Sequence, residues 1–339
     1  MTEQTKSENM FPESESSTSA PEGRIAFLIS LPRSGSTLLQ RMLTLHPEIE
    51  SSAETWFFLN ALGWMAPVDI QTEFDYRACR IALSEFYRGD RAQRLNQALN
   101  LAAASFADDP TKIFIDKTPR YALILNELRQ CLPDCKIILL FRNPLSVADS
   151  MVDAWGDGGR RWRMRPYFVD LYKGLERMHA FAEVAKDDPN TLVVKYEDVV
   201  KMPSETFRDI AKFLDLSNFA PDFSKIAEQQ VTGTMGDKVG IHRYREISIE
   251  SLGKLKHFCN PLRRHWGRRY LNWFGEQRLE TIGYKKRELE HQLGSAKGYR
   301  YIGRDILESL FQLAKLLTHV RRFSSREARS KMGEMSELS

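Results

Sequence analysis

The chain has 339 residues, 42% of them apolar and 11% aromatic, which is enough to bury the core of one large domain with or without an appendage. The 49 Lys and Arg against 45 Asp and Glu give a net charge of +4, too mild to indicate a nucleic-acid-binding protein. No apolar stretch approaches the ~20 residues of a membrane helix, and the N-terminus lacks the basic and apolar regions of a signal peptide. The four cysteines show no paired metal-binding spacing, so reduced thiols in a cytoplasmic protein are expected.

Four segments divide the chain. Residues 1–22 are rich in Ser, Glu, Thr and Pro and hold one aromatic residue, so they are predicted to be a disordered tail. Residues 23–288 carry the strand and helix patterns of the main domain. Residues 289–323 are predicted to be an amphipathic helical appendage, and residues 324–339 a flexible tail.

The most informative stretch combines a strand, a tight loop and a helix. The apolar run at residues 25–29 precedes the loop at residues 32–37, and a helical spacing of leucines begins at Leu38. Such a loop aims backbone N–H groups, a helix N-terminus and several hydroxyls at one point, which favours a phosphate ligand. It departs from the nucleoside-triphosphatase loop, because Ser30 replaces the first Gly of that motif and Ser36 replaces its Lys. A magnesium triphosphate would be poorly bound.

A carboxylate follows this helix at a short distance. Pro47 ends the helix, and a second helix is expected to start near Ser52, which would place Glu54 in its first turn. A Glu in a first turn is favoured by the helix dipole and by capping, so this position leaves a structural and a functional role open. Residues 57–110 then show helical apolar spacing, typical of an insertion that forms an acceptor pocket.

Two further strands lead to basic residues. Residues 113–115 form a short apolar run before Lys117, and residues 136–141 form a continuous run before Arg142. The pattern predicts an α/β fold of the P-loop-like kind, a single large domain in which helices flank a central parallel sheet in three layers. Ligands of such sheets bind at the carboxyl ends of the strands, where Lys117 and Arg142 are expected. A solvated surface position is the alternative for Lys117.

Several short sequences carry a family resemblance, among them the YED at residues 196–198, which follows a predicted core strand. The loop LPRSGSTL at residues 31–38 resembles the 5′-phosphosulfate loop of sulfotransferases that use 3′-phosphoadenosine-5′-phosphosulfate (PAPS). The sequence RNPLSVADS at residues 142–150 is similar to the 3′-phosphate site of the same family. The KTP at residues 117–119 is similar to a segment of carbohydrate sulfotransferases, and the ET at residues 54–55 to a pair in tyrosylprotein sulfotransferases and bacterial relatives. The resemblance covers roughly residues 24–284.

The resemblance implies the roles of the site residues. Glu54 would be the catalytic base, because Pro119 stands where cytosolic small-molecule sulfotransferases carry a catalytic His. Arg33 and Lys117 would stabilise the charge that grows on the departing phosphate. The nucleotide would be held by residues from the loop and the later strands: Arg33, Ser34, Gly35, Ser36 and Thr37 at the 5′-phosphate, Arg142 and Ser150 at the 3′-phosphate, Tyr196, and Arg245, for which Lys238 and Arg243 are rivals.

The implied function is metal-independent, in-line transfer of a sulfuryl group from PAPS to an acceptor hydroxyl, with adenosine 3′,5′-bisphosphate (PAP) as the product. A glycan or glycolipid acceptor is favoured by analogy with bacterial members. The alternatives are a small alcohol, a lipid or a peptide tyrosine as acceptor, a P-loop kinase or nucleotide hydrolase, and a non-catalytic glycan-binding protein. The basic amphipathic stretch at residues 304–323 either rests on an anionic membrane or packs on the domain or on a second subunit.

Overall fold

The structure, a computed structural model, describes residues 24–62, 88–109, 111–229, 246–249, 252–253, 255–308 and 310. Within them, five parallel strands form one sheet: β1 (Arg24–Ser30), β2 (Ile49–Ser51), β3 (Ile113–Asp116), β4 (Lys136–Phe141) and β5 (Thr191–Lys195). The strand order is β2-β3-β1-β4-β5, so β1 lies at the centre with β3 and β4 beside it. The register pairs Phe27 of β1 with Asp116 of β3 and with Ile137 of β4.

Helices connect these strands and continue after the last of them. In chain order they are α1 (Ser36–Leu43), α2 (Phe57–Leu62), α3 (Asp90–Ala104), α4 (Leu125–Cys131), α5 (Pro144–Trp155), α6 (Leu175–Val184), α7 (Tyr196–Lys201), α8 (Pro203–Phe213), α9 (Pro261–Phe274), α10 (Glu276–Thr281) and α11 (Lys286–Ser295). Short 3-10 turns lie at Pro119–Leu123, Arg165–Tyr167 and Phe223–Glu228, a π-helical turn at Val169–Gly174, and residues 302–308 are helical.

Successive residues of the central strand point to opposite faces of the sheet. In β1, Phe27 and Ile29 pack in one apolar cluster, whereas Ala26 and Leu28 pack in the other. Helices α1, α7 and α8 contribute to the second cluster, and α2 to α6 together with α9 to α11 contribute to the first. Both faces of the sheet are therefore buried along β1, β3 and β4, whereas Val193 of the edge strand β5 is exposed. The buried strands explain the continuous apolar runs, and the layers confirm the predicted three-layer α/β fold.

The segment before α2 differs from its prediction. The helix expected near Ser52 is absent there: residues 49–51 form the edge strand β2, paired with β3, and α2 begins only at Phe57. Trp56 has a φ of +56°, which no residue inside a right-handed helix adopts. Glu54 consequently lies in the loop after a strand, so a first-turn capping role does not explain it.

A buried ion pair fixes the C-terminal helical turn. Arg263 of α9 is fully buried, and its Nε and Nη2 donate to the carboxylate of Asp305 at 2.6 and 2.8 Å. Its Nη1 donates to the carbonyl oxygens of Gly159 and His257 at 2.9 and 3.0 Å. The helical residues 302–308, inside the range expected as an appendage, are thereby joined to α9 and to the loop after α5.

Candidate active site

The loop between β1 and α1 has two residues in the left-handed region of backbone space. Arg33 has a φ of +69° and Gly35 a φ of +94°, and the Ser34 N–H donates to the carbonyl oxygen of Leu31 at 3.2 Å. The chain turns sharply here and enters α1 at Ser36. The first amides of α1 precede its intrahelical hydrogen bonds and so are available to an anion. Residues 32–37, the anion loop, therefore have a local geometry that agrees with anion binding.

Gly35 lies against an aromatic ring that directly follows the edge strand β5. A β-carbon on Gly35 would sit 2.2 Å from Cε2 of Tyr196, the first residue of α7. The guanidinium carbon of Arg142 lies 4.4 Å from the centroid of the same ring. Glycine is thus required twice at position 35, by its backbone conformation and by the close approach of Tyr196.

The residues predicted for the two phosphate sites meet in one cluster. Arg142, which follows β4, donates from Nη1 to the carbonyl oxygen of Arg33 at 3.1 Å. Nε of Arg33 donates to Oγ of Ser150, on α5, at 3.4 Å. The side chain of Arg142 is 7% exposed, and its buried Nε has no hydrogen-bond partner in the described part of the chain. A buried cationic donor without a partner fits a phosphate oxygen.

On the other side of β1, a carboxylate and an ammonium form a buried pair. Nζ of Lys117 lies 3.1 Å from Oε1 of Glu54, and the two side chains are 3% and 14% exposed. The indole Nε1 of Trp56 donates to Oε2 of the same carboxylate at 3.1 Å. Both oxygens of Glu54 therefore accept a hydrogen bond, and each keeps a lone pair for a further donor.

A buried carboxylate at the end of β3 supports this pair, and the sequence patterns did not predict it. Asp116 accepts hydrogen bonds from Thr55 Oγ1 at 2.7 Å, from Tyr121 OH at 3.0 Å and from Thr118 Oγ1 at 3.0 Å. Burial raises the pKa of Asp116. Its partners flank Glu54 and Lys117 in sequence, so Asp116 joins the two loops that carry the pair. An ionisable residue at the end of an apolar strand was the available signal.

The strand order brings these groups to one edge of the sheet. Lys117 follows β3, the anion loop follows β1 and Arg142 follows β4, and these three strands are neighbours and parallel. The anion loop therefore lies between the Glu54–Lys117 pair and the arginine cluster. Ser34, Ser36 and Thr37 are buried in or just after the loop. The predicted contact Arg245 and its rivals Lys238 and Arg243 lie outside the described residues.

The described part of the chain contains neither a metal-binding cluster nor a membrane-spanning helix. It has no group of three His, Cys, Asp or Glu side chains that could hold a metal ion. Among the same residues, none of the helices has the length and apolar composition needed to span a bilayer.

Two curated relatives match about half of the chain. The nodulation protein NoeE of Sinorhizobium fredii (strain NBRC 101917 / NGR234) is 31% identical over 211 residues, which cover 56% of this chain and 50% of that protein. Protein-tyrosine sulfotransferase 2 of Gallus gallus is 24% identical over 209 residues, 57% of this chain and 51% of that protein. The chain thus spans about half the length of these two relatives.

One solved structure and one family model complete the comparison. The sulfotransferase domain from the curacin biosynthetic pathway superposes with a TM-score of 0.46 at 20% identity, over 69% of this chain and 90% of that domain. A model described as the sulfotransferase family matches residues 26–221, which is more than half of the chain and includes the anion loop, Glu54, Lys117, Arg142, Ser150 and Tyr196. The chain therefore belongs to the sulfotransferase family.

Proposed function

We propose that this protein transfers a sulfuryl group from PAPS to the hydroxyl of an acceptor, with PAP as the product. The observation that carries the proposal is the cluster of Arg142, Arg33 and Ser150 against the glycine turn of the anion loop. It supplies cationic and hydroxyl donors beside a loop of backbone amides, which is what two phosphate groups on one adenosine require.

The side chains divide between the two ends of the nucleotide. The amides of the loop, the hydroxyls of Ser36 and Thr37 and the Arg33 guanidinium would hold the 5′-phosphosulfate. Arg142 and the Ser150 hydroxyl would hold the 3′-phosphate, with the unpartnered Nε of Arg142 as one donor. Tyr196 fixes the orientation of the Arg142 guanidinium by stacking under it.

The reacting groups act in one in-line step. The bond between sulfur and the bridging oxygen of the 5′-phosphate breaks while a bond forms between sulfur and the acceptor oxygen. Glu54 accepts the acceptor proton, and the negative charge that remains on the 5′-phosphate of PAP is stabilised by Arg33 and Lys117. The sulfuryl group carries less negative charge than a phosphoryl group, so the proposal requires no divalent ion.

The acceptor is proposed to be a hydroxyl of a glycan or glycolipid. The resemblance of the KTP segment, residues 117–119, to carbohydrate sulfotransferases supports this choice. The second candidate is a peptide tyrosine, since relatives named protein-tyrosine sulfotransferases match 56% to 57% of the chain at 23% to 24% identity. Labelled sulfate from PAPS, offered to glycans, glycolipids, acidic tyrosine peptides and small alcohols, tests the proposal; transfer to none of them would contradict it.

The catalytic base is tested by one substitution. Glu54→Gln keeps the size of the side chain and a hydrogen-bonding oxygen but cannot accept the proton, so transfer should fall by about 10²- to 10⁴-fold. Binding of PAP, followed by isothermal titration calorimetry, should be unchanged. A Glu54→Gln variant with normal transfer would remove Glu54 from the mechanism and would leave the sulfotransferase assignment standing.

Exposed apolar side chains lie near the end of the described residues. Ile306, Leu307 and Leu310 are 45%, 69% and 57% exposed, at the start of the apolar stripe that the sequence shows. We propose that the basic amphipathic stretch at residues 304–323 contacts an anionic membrane. Sedimentation with vesicles of anionic lipid, compared with vesicles of zwitterionic lipid, tests the contact. Failure to sediment, with a dimer by light scattering, would assign the stripe to a second subunit instead.

A further inference from the structure

Trp56 holds an unusual backbone position two residues after Glu54. Its φ of +56° lies in the left-handed region, which is a costly conformation for a residue with a bulky side chain. The same residue donates its indole N–H to Oε2 of Glu54 at 3.1 Å. The costly conformation therefore coincides with a specific hydrogen bond to the proposed base.

The neighbours of Trp56 keep it in this position. The preceding hydroxyl, Thr55 Oγ1, donates to the buried carboxylate of Asp116 at 2.7 Å. The guanidinium carbon of Arg120 lies 5.5 Å from the centroid of the Trp56 ring. Arg120 in turn donates from Nε and Nη2 to the two oxygens of the buried Asp170, at 3.3 and 3.2 Å. The indole is thus fixed through its backbone and over one face.

We propose that Trp56 is a positioning residue for the base, whose indole N–H sets the rotation of the Glu54 carboxylate. Lys117 holds Oε1 and Trp56 holds Oε2, so the plane of the carboxylate is defined by two donors on opposite oxygens. With Lys117 alone, the carboxylate could rotate about a single contact. This inference rests on the proposed function, because it assigns Glu54 the task of accepting the acceptor proton.

The hydrogen bond also distinguishes a positioning role from a packing role. A donor that orients the carboxylate acts on the proton-transfer step, so its removal should lower kcat and leave KM for PAPS and for the acceptor unchanged. Loss of packing alone would lower the stability of the protein and change KM as well.

The variant Trp56→Phe keeps an aromatic ring under Arg120 and removes the indole N–H. We expect kcat to fall about tenfold, the size of one hydrogen bond to a charged acceptor, with KM for PAPS and for the acceptor unchanged. The affinity for PAP should be unchanged. The matched control is Trp273→Phe, since Trp273 lies in a separate aromatic cluster with Tyr172 and Tyr270.

A second measurement does not depend on transfer. The indole ¹H–¹⁵N resonance of Trp56, identified by its loss in Trp56→Phe, should move in Glu54→Gln, because its acceptor changes from a carboxylate to an amide, and should keep its wild-type position in Trp273→Phe. An indole resonance that does not move in Glu54→Gln would overturn the positioning role, whether or not kcat falls. Absence of sulfate transfer by the wild type, with the indole resonance moved as expected, would instead contradict the proposed function alone.

Discussion

Replacement of Gly35 by Ala should weaken nucleotide binding in a chain that still folds. The new β-carbon would meet Cε2 and Cδ2 of the Tyr196 ring at 2.2 and 2.3 Å, distances that require the buried ring or the loop to move. The backbone φ of +94° is unfavourable for alanine as well. Tyr196 carries the Arg142 guanidinium on its face, so movement of the ring would displace a donor of the proposed 3′-phosphate site.

The two contributions can be given approximate sizes. A left-handed backbone costs an alanine about 1 to 2 kcal/mol. An extra methyl group forced into a packed contact costs about 1 to 3 kcal/mol more. The loop of the variant avoids this cost by leaving its anion-binding conformation, which nucleotide binding must then restore. The dissociation constant for PAP should therefore rise by at least about 30-fold, since about 1.4 kcal/mol corresponds to a factor of ten.

Two other glycines provide controls for this substitution. Gly275 has a φ of +90°, and a β-carbon added to it would have no neighbouring atom within 4 Å, so Gly275→Ala tests backbone strain without a clash. Gly294, in α11, has neither strain nor a neighbour within 4 Å. Isothermal titration with PAP should show wild-type affinity for both controls, and urea unfolding should show a loss of stability for Gly275→Ala of about 1 to 3 kcal/mol. Wild-type PAP affinity in Gly35→Ala would refute the reasoning.

Three further substitutions test the 3′-phosphate contact, a buried carboxylate and the anchor of the C-terminal helical residues. Arg142→Lys removes the planar fork and should weaken PAP binding at least tenfold but AMP binding little, and calorimetry showing equal losses would contradict the 3′-phosphate role. Burial raises the pKa of Asp149 to about 6, so the folded state binds its proton more tightly than the unfolded chain does and loses stability as pH rises from about 4 to about 6. Asp149→Asn should reduce that decline by about 1 to 3 kcal/mol in urea unfolding, since Asp116 and Asp170, whose pKa values burial also raises, keep their contribution; an unchanged decline would exclude Asp149 from it. Asp305→Asn leaves Arg263 buried without its counter-charge and should cost about 3 to 5 kcal/mol, whereas Glu288→Gln, at an exposed pair, should change little; equal effects would contradict the anchoring role.

The half of the candidate site that is proposed to bind the phosphates has determinants that are local in sequence. Arg142 directly follows an apolar strand and Ser150 lies in the next helix, so regular secondary structure alone brings both to the sheet edge where the anion loop lies. Buried parallel strands leave a strong signal, since both faces of β1 and β4 must be apolar.

The other half depends on contacts between distant segments. The short strand β2 is defined by its pairing with β3 rather than by its three residues, and directly after it the local pattern predicts a helix that starts near Ser52. Thr55 donates to Asp116 and Trp56 donates to Glu54 beside a left-handed backbone at Trp56, a conformation that no periodic pattern indicates. The resemblance therefore indicates Glu54 as a candidate, and only the structure gives the contacts of its carboxylate.

The proposed function depends on two anion pockets that bind one doubly phosphorylated adenosine. The most direct measurement is calorimetric titration of the full chain with adenosine 3′,5′-bisphosphate and, separately, with adenosine 5′-monophosphate. Because the 3′-phosphate gains charge-assisted hydrogen bonds from Arg142, the bisphosphate should bind at least about tenfold more tightly. Equal affinities for the two nucleotides would contradict the proposed function.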